Sequence, residues 1–244
     1  MKNYKLTIQY DGTDFAGWQI QKNAPTIQQR IVDTIDIITK EKVNLIGSGR
    51  TDSGVHALGQ VANFKTEQVF HETKLLHSLN AILPRSISIS KIETVDESFH
   101  ARFDAKKRSY IYLISRQKSP FFNKYSHLDT RIGDEEIFRL NKLGKYLLGT
   151  HDFTSLCRKD MEVKNRECTI YDIHWRKGSL INTFYIQADR YLHGMVRTIV
   201  GTLLFCVGKN LDENYLEEII SAKDREAAAE AAPAKGLFLY KVRY

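Results

Sequence analysis

Cysteine is scarce in this 244-residue chain: Cys157, Cys168 and Cys206, odd in number and widely spaced. With no CxxC pair, such a set builds neither a disulfide framework nor a structural zinc site; reduced thiols in a cytoplasmic protein fit it best. Proline is also rare, with four residues, and no long Gly/Ser/Pro stretch marks a flexible linker. Neither a GxGxxG nor a P-loop motif occurs, so no dinucleotide or ATP site is indicated. No HxxxH, His/Cys cluster or acidic pair supports a metal. Met1 to Ile8 alternates at once and lacks the apolar core of a signal peptide. The most apolar run, Tyr191 to Gly208, carries His193, Arg197 and three glycines. A membrane span rarely tolerates arginine mid-run, so this run reads as a buried helix of a soluble protein.

What is present begins with charge. The net charge is +7, and nearly all of the excess lies between Arg102 and Arg131, where eight Lys/Arg face only Asp104 and Asp129. Tyr110, Tyr112, Phe121, Phe122 and Tyr125 are interleaved with Arg102, Lys106, Lys107, Arg108, Arg116, Lys118, Lys124 and Arg131. Cations neutralise phosphates while aromatic faces stack on unpaired bases, so this segment reads as a nucleic-acid surface. A solvated basic edge strand is the plainer alternative.

Hydrophobic periodicity orders the elements. Tyr4, Leu6, Ile8 and Tyr10 alternate with polar residues as a half-buried strand. Ile27, Ile31, Ile35 and Ile38 recur at helical spacing behind Thr26, with Gln29 completing a capping box. Val43–Ile46 and Val61–Phe64 read as short strands, Leu75 to Ile82 as a helix closed by Pro84, and Ile87 to Ile92 as a strand. The second half repeats the order β-α-β-β-α-β: a strand at Tyr110–Ile114, a helix from Ile137 to Leu148, and a hairpin of Thr169–Arg176 with Leu180–Ala188. It continues with a helix from Tyr191 to Val207, helical pieces at Tyr215–Ala222 and Arg225–Ala231, and a closing strand at Gly236–Val242. Two ferredoxin-like units follow, residues 1–104 and 105–244, with mixed, mostly antiparallel sheets meeting at a central cleft.

The loop Gly47-Ser48-Gly49-Arg50-Thr51-Asp52-Ser53-Gly54-Val55-His56 carries the densest chemistry. Glycines let the backbone turn sharply and admit a ligand closely. Asp52, two residues from Arg50, is a candidate nucleophile or general base, or else a turn residue bonding nearby N–H groups. Arg197 is the only residue with a formal charge in its apolar helix, and a buried guanidinium needs a partner. Asp52 and Asp189 are the candidates, with an exposed helix flank as the third possibility. Tyr110 is placed either to stack on a base or to fill a half-buried strand position. His56 reads as a structural histidine.

Gly49 to Ala57 resembles the Gly-Arg-Thr-Asp-Ala-Gly-Val-His-Ala block of the tRNA pseudouridine synthases of the TruA type, differing at Ser53 alone. The resemblance extends in order through Tyr10-Asp11-Gly12, Phe15, Gly17-Trp18-Gln19, Phe99 to Phe103, Asp152 to Ser155, Met195-Val196-Arg197, Ile199 to Gly201, Lys223 to Arg225, and Gly236-Leu237. It implies uridine isomerisation at positions 38 to 40 of the tRNA anticodon stem-loop, without cofactor or metal. In that reading Asp52 is the nucleophile, Arg197 its ion-pair partner and Tyr110 a base contact. Arg50 holds the flipped nucleotide and Leu237 packs near the base. Gln19, Arg102, Lys107 and Arg108 contact the RNA, with the Gly17–Gln19 loop tracking its backbone. A cytoplasmic homodimer is also implied. Ser53 and Pro233 are the departures; the Ser53 hydroxyl either donates to Asp52 or points away.

Overall fold

The alternating residues at the N-terminus form strand β1 (Lys2–Tyr10), which buries Tyr4, Leu6, Ile8 and Tyr10 and turns Lys5, Thr7 and Gln9 the other way. Helix α1 (Ile27–Thr39) buries Ile27, Ile31 and Ile35. Its cap is half of the expected box: Thr26 Oγ1 accepts from the Gln29 N–H, but the Gln29 side chain donates forward to Asp33 instead of back to the cap. Strand β2 is only Ile46–Gly47, and β3 (His56–Thr66) is the long central strand. Helix α2 (Glu72–Ile82) and β4 (Ile87–Val95) follow.

The remaining elements are β5 (Lys107–Ser115), β6 (His127–Leu128), α3 (Asp134–Tyr146), β7 (Gly149–Asp152), β8 (Glu167–Arg176), β9 (Ile181–Ala188), α4 (Met195–Gly208), α5 (Glu213–Ala222) and β10 (Leu237–Arg243). The protein is thus α+β. The computed structural model describes residues 1–159 and 165–244, which form two units: Met1–Lys106 with Phe238–Tyr244, and Lys107–Leu237.

In the first unit β4, β1 and β3 are neighbours, both pairings antiparallel, with β2 antiparallel and β10 parallel to β3. The closing strand expected to complete the second repeat therefore hydrogen-bonds within the first unit, Phe238 opposite His56 and Leu239 opposite Ala57. Alternation marks a strand but does not say which edge it joins. The second unit runs β5-β9-β8-β7, all antiparallel, with β6 parallel to β5.

Two helical expectations are shortened. Helix α4 starts at Met195 rather than Tyr191, because Gly194 takes φ +71° at its N-cap. The alanine-rich stretch after Arg225 makes one 3₁₀ turn, Arg225–Ala227, and no longer helix. Its backbone is committed elsewhere: Ala232 N–H donates to Arg197 O and Ala232 O accepts from Arg197 Nε. Tertiary contacts override the helical propensity of alanine. Cys157, Cys168 and Cys206 are buried thiols; burial pushes Cys168 up to about 12 and Cys206 up to about 11. No helix among the described residues is long and apolar enough to cross a membrane.

Candidate active site

The Gly47–His56 loop is held from three sides by polar groups inside the first unit. At its start, Ser48 Oγ donates to Gln60 Oε1 (2.6 Å) and Gln60 Nε2 donates to Gly49 O (2.9 Å). Gln60 is fully buried on β3. In the middle, Thr51 is joined through its hydroxyl to Tyr10 (2.8 Å) and through its carbonyl to the Trp18 N–H (3.1 Å). At the end, Ser53 Oγ donates to Phe15 O (3.2 Å), Gly54 N–H donates to the same carbonyl, and Gly12 N–H donates to His56 Nδ1 (3.1 Å). Asp11 Oδ1 lies 3.2 Å from that nitrogen, and the His56 ring stacks on Phe238 at 4.6 Å.

Asp52 occupies the first position of a turn closed by Val55 N–H on its main-chain carbonyl (3.2 Å), with Gly54 at φ +74° in the third position. That conformation demands glycine or a tolerant residue. The carbonyl, rather than the carboxylate, therefore closes the turn. Both residues flanking Asp52, Thr51 and Ser53, are tied to the loop of residues 12–18, so the backbone that aims its side chain is fixed twice. Asp52 is half-buried and Arg50 is exposed.

The Tyr10–Gln19 motif buttresses this loop. A Cβ on Gly17, which has φ +97°, would stand 2.6 Å from Thr51 O; one on Gly47 would stand 2.7 Å from the Trp18 ring. Gly17 and Trp18 are buried, so only Gln19 of that trio presents itself to solvent. The carbonyls of Gly17 and Trp18 accept from Ile27 and Gln28 N–H, satisfying donors that the first turn of α1 would otherwise orphan. Sequence reasoning missed Gln60, Ser48 and Tyr10 as supports. The signal was there for Gln60: a polar side chain at an inward position of an apolar strand needs partners.

In the second unit, Arg197 lies in the first turn of α4 and is half-buried. Its Nε bonds Ala232 O (2.7 Å), fixing the guanidinium plane. Asp189, one of its candidate partners, instead accepts through Oδ1 from the backbone N–H groups of Thr169 (2.9 Å) and Arg190 (2.6 Å). Gly201, one turn along α4, allows this arrangement, since a Cβ there would overlap Glu230 O. Tyr110 is 8% exposed on β5, its ring edge-on to Tyr191 at 5.1 Å. Tyr112, on the same face, donates to Pro233 O (2.9 Å), so the unusual proline supplies a carbonyl. Burial raises the Tyr112 hydroxyl well above its ordinary range, against the nearby positive charge of Arg197. Leu237 is 5% exposed, following a 3₁₀ turn whose Gly236 abuts the Tyr112 ring.

The basic segment divides. Arg108 donates to Asp189 O, Arg116 to Gly178 O, and Arg131 is paired with Asp129. Lys107 Nζ sits 4.0 Å over the Tyr171 ring. Arg102, Lys118 and Lys124 are exposed, as are Phe121 and Tyr125.

The model of a family described as tRNA pseudouridine synthase matches residues 6–104 and 144–244, on both sides of the basic segment. The chain belongs to this family. The synthase is 40% identical to tRNA pseudouridine synthase A of Thermoanaerobacter sp. (strain X514), across the full length of both chains. It is 41% identical to the protein of that name from Clostridium acetobutylicum, again over both full lengths. It is 42% identical to tRNA pseudouridine synthase A 1 of Protochlamydia amoebophila, covering all of this chain and 97% of that one. The synthase is accordingly an isomerase of the pseudouridine-forming type, and tRNA is its substrate class.

Proposed function

We propose that the enzyme converts uridines 38, 39 and 40 of the tRNA anticodon stem-loop to pseudouridine, with Asp52 as nucleophile. The observation that carries this reading is the doubly tied backbone around Asp52, in a loop matching the family block at every position but Ser53. A reacting carboxylate must be held close to its productive geometry, and such supports serve that end. The isomerisation moves the ribose bond from N1 to C5 of the same base, so no atoms are gained or lost. The uridine must first leave its stack, at a cost of a few kcal/mol. Arg50, Gln19, Arg102, Lys107 and Arg108 are assigned to RNA contacts that offset this, and Leu237 to packing near the base. Tyr110 is assigned to the base itself. Arg197 is assigned as the ion-pair partner of Asp52. A cytoplasmic homodimer completes the reading.

Asp52→Asn is expected to abolish tritium release from tRNA carrying 5-tritiated uridine while retaining tRNA binding in a gel-shift titration. Undiminished release would sink the assignment. Arg197→Met is expected to lower kcat while tRNA binding in the gel shift is retained, since the carboxylate then lacks its ion-pair partner. An unchanged kcat would assign Arg197 to structure alone.

A further inference from the structure

A second aromatic feature of the first unit lies away from the Asp52 loop. The turn Phe99-His100-Ala101-Arg102-Phe103 is pinned from below by buried amides. Asn63 Oδ1 accepts from Ala101 N–H (2.9 Å), Asn63 Nδ2 donates to Asn3 Oδ1 (3.0 Å), and Asn3 Nδ2 donates to Phe99 O (2.9 Å). Asn3 and Asn63 are each 1% exposed. From the C-terminus, Tyr244 OH donates to Ala101 O (2.8 Å). Within the turn, His100 Nδ1 accepts from the Arg102 and Phe103 N–H groups, and His100 N–H donates to Asp104 Oδ2.

All of this bonding displays one large apolar side chain to solvent. Phe103 is 76% exposed. The His100 ring covers one side of it, at 4.3 Å and 30°, and the Arg102 guanidinium carbon lies 5.7 Å from its centre. A floppy exposed phenylalanine is common; one on an over-determined turn, backed by an imidazole and flanked by a guanidinium, is pre-organised for a flat, anionic partner. An unpaired nucleobase with its phosphate has that chemistry. Stacking on an already ordered ring avoids much of the entropy that ordering it would cost.

Resting on the tRNA reading above, we propose that Phe103, with His100 and Arg102, is a stacking platform for an unpaired tRNA base other than the target uridine. The placement requires a different base. Thr51 is bonded to Tyr10, which sits opposite Ala57, whereas Ala101 is bonded to Asn63, six residues further along β3. At 3.3 Å per residue that separates the two features by roughly 20 Å, several nucleotides of RNA.

The test uses the full chain and unmodified tRNA. Trp18 and Trp175 are each 3% exposed and give a constant background, so Phe103→Trp places one reporter in solvent. Adding tRNA is expected to quench that indole. Phe103→Ala is expected to weaken tRNA binding by about 5-fold or more with kcat changed less than 2-fold. Phe103→Tyr is expected to restore affinity and Phe103→Leu to leave it weak. An unquenched indole, unchanged affinity of the alanine variant, or full recovery with leucine overturns the platform. A change in sedimentation mass of Phe103→Ala with tRNA affinity intact also overturns it, in favour of self-association. Tritium release by the unaltered protein separates the two readings: if it fails, the tRNA assignment falls; if it holds while the Phe103 variants behave as unaltered, only the platform falls.

Discussion

Two polar side chains support the Gly47–His56 loop in different ways, and their removal separates the effects. Gln60 is fully buried and serves Ser48 and Gly49 at once. Gln60→Leu keeps the bulk but removes one hydrogen bond to a buried hydroxyl and one to a loop carbonyl, each worth about 0.5–1.5 kcal/mol. A urea titration is expected to show that loss, together with reduced kcat as the start of the loop drifts; unchanged unfolding would mean that water replaces the amide at no cost. Ser53 is exposed and donates to Phe15 O, a carbonyl that Gly54 N–H already serves. Ser53→Ala is therefore expected to hold kcat/KM within about 3-fold and stability within about 1 kcal/mol. The hydroxyl is a brace for the loop, which accommodates serine beside Asp52 where the resembling block has alanine. The departure itself was legible in the sequence; the direction of the hydroxyl was not, because the acceptor lies 38 residues away.

At the scale of the element, α4 shows how a glycine can matter more as an absence than as a helix weakness. Gly201→Ala improves helix propensity by about 1 kcal/mol. The new Cβ, however, overlaps Glu230 O, in the segment whose Ala232 bonds both Arg197 O and Arg197 Nε. The expected outcome is a net loss of about 1–3 kcal/mol in urea unfolding and a fall in kcat as Arg197 loses its anchor. A stabilised, fully active variant would show that the segment simply steps back. Periodicity located α4, α1 and α3 within a turn or so because their apolar stripes face a single core each. It overran at Tyr191–Gly194 and in the alanine stretch, where a left-handed glycine and a backbone partner distant in sequence decide the outcome.

Across the whole molecule, carboxylates set the response to acid. Burial alone would raise Asp129, but hydrogen bonds from the side chain and backbone of Arg131 outweigh it and hold the group below its usual range. Glu93 is held low by hydrogen bonds from Lys91 and Lys5, Glu72 by Thr94, Asp134 by Lys177 and Glu213 by Lys142. A carboxyl with a lowered native pKa contributes stability fully above its unfolded value, about 4, and loses it as pH falls through the native value. Burial also lowers His127, so its contribution is present above about pH 6.5 and fades as pH falls below that. Urea midpoints measured from pH 7 to pH 3 are expected to decline gently below about 6.5 and steeply below about 4, and Asp129→Asn is expected to flatten the steep part. Equal midpoints at pH 7 and pH 3 would contradict this.

The sequence by itself determined the element order of the first unit, the buried faces of its helices, the density of chemistry around Asp52 and the family. Those properties are written in local periodicity and in contiguous motifs, and local physics reads them directly. Only the tertiary structure decided that β10 pairs with β3, that Trp18 packs inward while Gln19 faces out, that Asp189 caps backbone amides, and that buried Asn3 and Asn63 hold Phe103 in solvent. Each of these depends on a partner far away in sequence: a free strand edge, an unsatisfied N–H, a buried amide in need of bonds. A side chain's pattern states that it must be satisfied; the fold alone chooses by what.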